Sequence, residues 1–179
     1  MIDIRKKHDR IENQDSMDFE ELDWYAVGQQ VRDSLLGRDP KEFEFAVIDE
    51  SLESMKERGF THVDGQRFTD GNGHLFEVAE ENDSLEAFLR DKDFTVNAIG
   101  MTPGEQNYHF PLMNNYEEDD DRPEKPIDPI KDLDEKVIRH TTNEGFEELD
   151  DAEVRLELMK NTFPEFSVAD ETENLLKSE

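Results

Sequence analysis

The chain has 179 residues, of which 48 are acidic and 20 are basic, so its formal net charge is −28, and only 34% of the residues are hydrophobic. The absence of cysteine excludes a disulfide framework and a cysteine-bound zinc site. No apolar run approaches the ~20 residues that a membrane-spanning helix needs, and a chain of this length corresponds to one domain.

The excess of acid fits two interpretations. Low hydrophobicity with high net charge is typical of intrinsic disorder. It is also what we expect of a folded protein from a salt-accumulating organism or one of its viruses, because the Debye length falls to ~3 Å in molar salt. The second interpretation is favoured, since acids are spread over the whole chain and helix and strand patterns persist between them. We therefore expect a cytoplasmic protein of a halophilic host or, alternatively, a virion component.

Residues 1–22 are predicted to form a polar N-terminal arm that holds a small basic cluster, Arg5, Lys6, Lys7 and Arg10. A cluster of four charges without interleaved aromatic residues is more typical of a solvated helix face than of a contact to nucleic acid or an acidic partner. The charged stretch 2–14 does not resemble a signal peptide.

The first predicted strand, 24–27, is followed by a turn at Gly28 and a helix that ends at Gly37. On the next predicted strand Glu42 and Glu44 alternate with two phenylalanines, so both carboxylates face one side of the sheet. Two acids that face one way beside a glycine turn and a helix N-terminus are a recurrent means of holding a divalent metal against a nucleoside triphosphate.

The remaining pattern predicts a succession of short elements. The predicted elements are a helix at 49–59, strands at 60–68 and 74–79 joined by a hairpin turn at 70–73, a helix at 84–92, an apolar stretch at 93–101, an acidic loop at 114–126, a short helix and strand within 127–140, a helix at 147–160 and a last helix at 171–177. Leu149, Val154, Leu158 and Met159 are the expected core contacts of the helix at 147–160. This order predicts an α+β domain with a small mixed sheet.

Three stretches carry motifs of a known family. The first has the order Gly-x-x-Val-Arg-Asp, Leu-Leu-Gly-Arg and Lys-Glu-x-Glu; its residues are Gly28, Val31, Arg32, Asp33, Leu35, Leu36, Gly37, Arg38, Lys41, Glu42 and Glu44. The second, 93–98, reads Asp-Phe-Thr-Val-Asn-Ala, and the third, 127–139, holds Ile-Asp-Pro and Val-Ile-Arg. These stretches resemble the head domain of class II tRNA nucleotidyltransferases (CCA-adding enzymes) and bacterial poly(A) polymerases, over about residues 25–139.

The chain departs from that family at several positions. Gln29 replaces a second glycine, Glu42 and Glu44 replace an Asp-x-Asp pair, and Asp91 and Lys92 replace two arginines. In a later motif, Glu-Asp-x-x-Arg, Arg155 is kept whereas Ala152 stands in place of the aspartate.

The resemblance implies a phosphoryl-transfer site with Mg²⁺ or Mn²⁺ as its cofactor. It assigns catalysis and metal binding to Glu42, Glu44 and Glu77. It assigns nucleotide binding to Gly28, Gln29, Arg32, Asp33, Lys41, Asp93, Thr95, Asn97 and Arg155. The residues alone also allow purely structural roles, namely the solvent face of an edge strand for the glutamates and an ion pair for Arg32 and Asp33.

The sequence therefore predicts three parts: the arm at 1–22, an α+β nucleotidyltransferase (polymerase beta-like) head domain at 23–142, and a helical neck-like appendage at 143–179. The expected function is metal-dependent transfer of a nucleotide from an NTP to an RNA 3′ end or another hydroxyl, without a membrane partner. The alternative is a catalytically degenerate copy that serves as a structural or protein-binding module in an assembly, such as the particle of a halophilic virus.

Overall fold

The computed structural model describes residues 22–79, 84–102, 107–110, 128–141, 146 and 151–177. The predicted arm, the acidic loop at 114–126 and the proposed core contact Leu149 lie outside the described residues, apart from Leu22 of the arm. No helix in the described part of the chain is long and apolar enough to cross a bilayer.

The described residues form short strands and helices in alternation, which we number in chain order. The strands are β1 Asp23–Val27, β2 Phe43–Ile48, β3 Thr61–Asp64, β4 Arg67–Thr69, β5 His74–Val78, β6 Gly100–Met101, β7 Tyr108–His109, β8 Val137–Ile138 and β9 Ser167–Val168. The helices are α1 Gln29–Leu35, α2 Leu52–Glu57, α3 Leu85–Arg90, α4 Pro129–Glu135, α5 Ala152–Thr162 and α6 Asp170–Leu176, with a 3₁₀ turn at Thr95–Asn97.

Seven of the described strands form one mixed sheet in the order β3-β4-β5-β2-β1-β6-β7. The central pair, β2 and β5, is parallel, and the other neighbours are antiparallel. Helices flank this sheet, so the predicted α+β class with a mixed sheet is confirmed.

The alternation of side chains along β2 explains how the sheet separates two apolar clusters. Phe45 packs against Trp24 and Phe76 in the larger cluster, with ring centres 5.0 and 5.1 Å from its own. Ala46 faces the other way and is buried in a smaller cluster with Leu89 of α3. The face that carries α3 is therefore also the face of Glu44.

Several helix and turn predictions agree with the structure. Ser51 accepts a hydrogen bond from the Ser54 N–H and caps α2, and Ser84 caps α3 in the same way. The turn at 70–73 joins the antiparallel strands β4 and β5.

Two local predictions are wrong. The stretch 60–68 forms two strands rather than one, because Gly65, at φ 45°, reverses the chain between β3 and β4. Val154 and Leu158 are not core residues, since each is 67% exposed, whereas Met159 on the same helix is buried.

The C-terminal segment is joined to the head by a second small sheet that the sequence does not reveal. Strand β9 pairs with β8 in parallel. The Thr172 hydroxyl of α6 accepts a hydrogen bond of 3.1 Å from the His140 N–H, and both residues are buried. These contacts hold α5 and α6 against the sheet domain.

Candidate functional site: an acidic cleft beside helix α5

A cleft of about 610 Å³ opens between the start of α1, the end of α3, the 3₁₀ turn and helix α5. Its lining combines charged groups with an apolar strip from α5. The lining residues are Gly28, Gln29, Arg32, Glu44, Asp91, Lys92, Asp93, Asn97, Asp151, Val154, Arg155, Leu158, Met159 and Thr162.

The parallel pairing of β2 and β5 brings two of the predicted catalytic glutamates to one sheet face. Glu77 lies opposite Ala46 in the register, and Ala46 shares its face with Glu44. Burial raises the pKa of Glu44 above its ordinary value of 4.5, the Lys92 ammonium opposes this shift, and Glu42 and Glu77 add to it. Glu44 is therefore a half-buried acid in an acidic neighbourhood.

Lys92 lies beside the glutamates at the edge of the cleft. Its Nζ is 3.5 Å from Glu77 Oε2 and 4.1 Å from the centre of the Phe88 ring. Glu44 and Lys92 both line the cleft, whereas Glu77 and the exposed Glu42 do not.

The turn at Gly28 requires glycine. Its φ is 63°, in the left-handed region, and its N–H donates to Ile99 O over 3.0 Å. A Cβ on this residue would lie 3.4 Å from Glu44 Oε2. The neighbouring Gln29 is half-buried and lines the cleft directly after this turn.

Arg32 forms the floor of the cleft and is only 4% exposed. Its Nε donates to Asp33 Oδ1 over 2.9 Å, and another nitrogen of its guanidinium donates to Asn97 Oδ1 over 2.5 Å. The guanidinium also lies 4.5 Å from the centre of the Phe163 ring. Its donors are directed at these partners. The main role of Arg32 is therefore structural, since it connects α1, the 3₁₀ turn and the segment after α5.

The motif at 93–98 divides its side chains between the cleft and the interior. Asp93 accepts a hydrogen bond of 3.0 Å from the Asn97 amide, and both residues line the cleft. Thr95 is fully buried, and its hydroxyl donates to Asp132 Oδ2 over 2.6 Å. Asp132 also pairs with Arg139, so Thr95 belongs to an internal polar network.

Arg155 extends from α5 along the cleft wall. Its Nε donates to Asp151 Oδ1 over 2.7 Å, and its guanidinium is 3.6 Å from Asp93 Oδ2. The hydrogen bond to Asp151 raises the pKa of Arg155. Ala152, which replaces the aspartate of the family motif, is buried and offers no polar side-chain group.

The three glutamates have the hard oxygen donors that Mg²⁺ prefers. However, no group of three or more carboxylate or imidazole side chains within the described ranges is placed so that it could hold a metal ion. The ammonium of Lys92 is next to Glu77 instead. The arrangement therefore does not fit a three-carboxylate metal centre, and the assignment of Mg²⁺ or Mn²⁺ to these residues stays a prediction.

The structure brings most of the predicted nucleotide-binding residues together. Gly28, Gln29, Arg32, Asp93, Asn97 and Arg155 line one cleft with Glu44, whereas Asp33, Lys41 and Thr95 do not. The sequence placed Val154, Leu158 and Met159 in the core, because their spacing at i, i+4 and i+5 is typical of a buried helix face, and it did not assign them to a site. In the structure they form an apolar strip that lines the cleft, in which Val154 and Leu158 are exposed and Met159 is buried.

No family model matches the chain. The CCA-adding enzyme of Coxiella burnetii is 31% identical to this chain in an alignment that covers 86% of this chain and 42% of that enzyme. The structure titled as the Thermotoga maritima CCA-adding enzyme complexed with tRNA superposes with a TM-score of 0.65 at 22% identity, over 89% of this chain and 38% of that one. A CCA-adding enzyme in complex with ATP gives a TM-score of 0.66, also at 22% identity and over 89% of this chain and 38% of that one.

The chain thus spans less than half the length of the relatives it matches. The sequence match and the fold match each cover most of this chain. The chain is therefore a relative of the CCA-adding enzymes and has the sequence features and the fold of the head domain of class II tRNA nucleotidyltransferases.

Proposed function

We propose that the cleft binds a nucleoside triphosphate and that the protein transfers a nucleotide from it to an RNA 3′ end. The observation that carries this proposal is the convergence of Gly28, Gln29, Arg32, Asp93, Asn97 and Arg155 on one cleft of about 610 Å³. A volume of this size lies within the usual range for small-molecule sites, about 300–1,000 Å³.

The chemistry of the lining supports a nucleotide more specifically. Val154 and Leu158 present apolar surface on one wall, which suits the face of a base. Asp93 and Asn97, joined by their mutual hydrogen bond, offer acceptor and donor groups that suit ribose hydroxyls. Lys92 is the lysine among the described residues that line the cleft, and its ammonium could pair with a phosphate group of the nucleotide.

The relatives support RNA as the acceptor, since one of the similar structures is a CCA-adding enzyme complexed with tRNA. The altered positions Gln29 and Ala152 argue against ordinary CCA addition, and a shortened tRNA or another hydroxyl is the acceptor class to be tested. The sequence predicts Mg²⁺ or Mn²⁺ at Glu42, Glu44 and Glu77. Because no group of three or more acidic or histidine side chains among the described residues is placed to bind a metal ion, we derive no reaction step from such an ion.

The test is transfer of label from each of the four α-labelled NTPs to tRNA and to total RNA, in KCl, with and without Mg²⁺ or Mn²⁺. Glu42→Ala/Glu44→Ala protein is the catalytic control, and calorimetry with unlabelled NTPs measures binding separately. Transfer that disappears in the double variant supports the proposal. Folded protein that neither binds an NTP nor transfers label contradicts it.

A second candidate function is a nucleotide-binding or protein-binding module without transfer activity. It is favoured by the ammonium of Lys92 next to Glu77, where a metal centre was predicted. Binding of an NTP with no transfer to any RNA would support this candidate, including a role inside a larger assembly.

A further inference from the structure

Lys92 lies two residues after the end of α3 and carries its ammonium over the sheet face that holds Glu44 and Glu77. The Lys92 N–H donates to Leu89 O over 3.3 Å, which fixes the residue to the end of the helix. Leu89 is fully buried in the same apolar cluster as Ala46, the residue opposite Glu77 in the register. The helix and the sheet therefore determine together where the ammonium lies.

The other cations near this face donate their hydrogen bonds to other groups, although Arg67, which lies opposite Glu77 in the register, also stabilises the ionised form of Glu44 by its charge. Arg32 donates to Asp33 and Asn97, and Arg155 donates to Asp151. Arg67 on β4 donates to Asp64 over 2.6 Å through two nitrogens.

Lys92 instead faces two carboxylates of the sheet. Its Nζ is 3.5 Å from Glu77 Oε2, and its charge stabilises the ionised form of Glu44 against the effect of burial. The Lys92 Nζ also lies 4.1 Å from the centre of the Phe88 ring, and the side chain is only 23% exposed. The ammonium thus has a defined site next to the acids rather than a free position in solvent.

We propose that the Lys92 ammonium is the internal counter-cation of Glu44 and Glu77 and that it prevents a divalent cation from binding to this pair in the free protein. A divalent cation that uses both carboxylates has to displace Lys92 Nζ from Glu77, because two cations at contact distance repel each other strongly.

The inference concerns metal binding by the protein without nucleotide and does not rest on nucleotide transfer. It is tested by titrating the 179-residue protein with Mn²⁺, followed by electron paramagnetic resonance of the free ion and by calorimetry at constant KCl. We expect Lys92→Gln to bind Mn²⁺ roughly tenfold more tightly than the wild-type protein, since a neighbouring positive charge is removed. Lys92→Arg keeps the charge and is expected to bind Mn²⁺ as the wild type does.

Two further variants separate this local effect from the net charge of the protein. Lys131→Gln removes a positive charge from an exposed pair with Glu135, at 3.8 Å, that does not line the cleft, and is expected to leave Mn²⁺ binding unchanged. Lys92→Gln/Glu44→Gln is expected to lose the gain of the single variant. Lys92→Met, which keeps apolar contact with Phe88, repeats the test if Lys92→Gln unfolds.

The proposal is overturned if folded Lys92→Gln or Lys92→Met binds Mn²⁺ no more tightly than Lys131→Gln. It is also overturned if the double variant retains the full gain, because Glu44 would then have no part in the site. Calorimetry with an NTP is a separate measurement, so a failure of the nucleotide proposal would be recognised independently.

Discussion

The side-chain oxygen of Asn97 accepts a hydrogen bond of 2.5 Å from the guanidinium of Arg32, a residue 65 positions earlier in the chain. This bond joins helix α1 to the 3₁₀ turn beneath the cleft. Asn97 in turn donates to Asp93, so the floor of the cleft is a connected polar network rather than a set of independent side chains. We therefore expect substitutions in this network to change the free energy of unfolding more than the affinity for a ligand.

The first prediction concerns the buried guanidinium of Arg32. We expect Arg32→Ala to lower the free energy of unfolding by about 3 kcal/mol, because it leaves the buried carboxylate of Asp33 without its partner. Urea denaturation measures this change. Arg38→Ala is the matched control, since the Arg38 guanidinium lies 4.3 Å from the same Phe163 ring but its side chain is 36% exposed. A loss no larger than that of the control would contradict the prediction.

The second prediction separates structure from binding at Thr95. We expect Thr95→Val to lower the free energy of unfolding by about 1–3 kcal/mol, because Asp132 loses a buried donor. The affinity for an NTP, measured by calorimetry on the folded variant, is expected to be unchanged, since Thr95 does not line the cleft. Thr162→Val, at an exposed position that does line it, is the control for the loss of a hydroxyl. Loss of affinity without loss of stability in Thr95→Val would contradict this assignment.

The third prediction concerns pH. Burial raises the pKa of Glu44, so the folded protein binds this proton more tightly than the unfolded chain does. The free energy of unfolding therefore falls as the pH rises from 4.5 through the folded pKa of Glu44, and it stays lower above that value. We expect Glu44→Gln to raise the thermal midpoint at neutral pH and to flatten this part of the profile.

Thermal unfolding from about pH 4 to about pH 8 measures this effect. Glu42→Gln, at an exposed position directly before the same strand and not within it as the alternation predicted, removes the same charge from the protein and is the control. Equal effects of the two variants would mean that the change in net charge, rather than the burial of Glu44, is responsible.

The fourth prediction concerns the apolar strip of α5. We expect Val154→Ser/Leu158→Ser to change the free energy of unfolding by less than about 0.5 kcal/mol per site, because both side chains are exposed. The same variant is expected to weaken NTP binding severalfold. Leu156→Ser, at a buried position on the same helix, should instead destabilise the protein by more than about 2 kcal/mol. A double variant that binds NTP normally would exclude the strip from the nucleotide site.

The fifth prediction concerns salt. With a net charge of −28, the folded chain repels itself, and dissolved ions screen this repulsion. We expect the thermal midpoint to rise as KCl increases from about 0.1 M to about 1 M, where the Debye length is ~3 Å. NaCl should act similarly if screening is the cause. A midpoint that does not change with either salt would count against adaptation to a salt-rich environment.

The sequence predicted those features that depend on local patterns. Alternation in β2 predicted the two faces of the strand, and local patterns predicted helices at 49–59 and 84–92, because these signals act over a few residues. The structure starts these helices after the caps Ser51 and Ser84. The motif at 93–98 predicted that Asp93 and Asn97 lie at the cleft. It could not predict that Thr95 is buried, since this depends on Asp132 in α4, which approaches only in the folded chain.

The rest of the site depends on contacts between distant segments. The spacing of Val154 and Leu158 is that of a buried helix face, and only the docking of α5 at the mouth of the cleft leaves them exposed. The pairing of Lys92 with Glu77 likewise follows from the position of α3 on the sheet, which no local pattern encodes. The surroundings of these side chains could therefore be determined only from the structure and not from the sequence.

The parallel pairing of β8 with β9 has a consequence for how a ligand and the C-terminal segment influence each other. Helix α5 forms one wall of the cleft. The segment that follows α5 consists of β9 and α6, and β9 pairs with β8 and so holds this C-terminal segment to the sheet domain. A ligand that touches both walls binds only while this segment is docked, so its binding free energy adds to the docking free energy. Amide hydrogens of 152–176 should then exchange more slowly when the cleft is filled, which makes the C-terminal segment a reporter of occupancy.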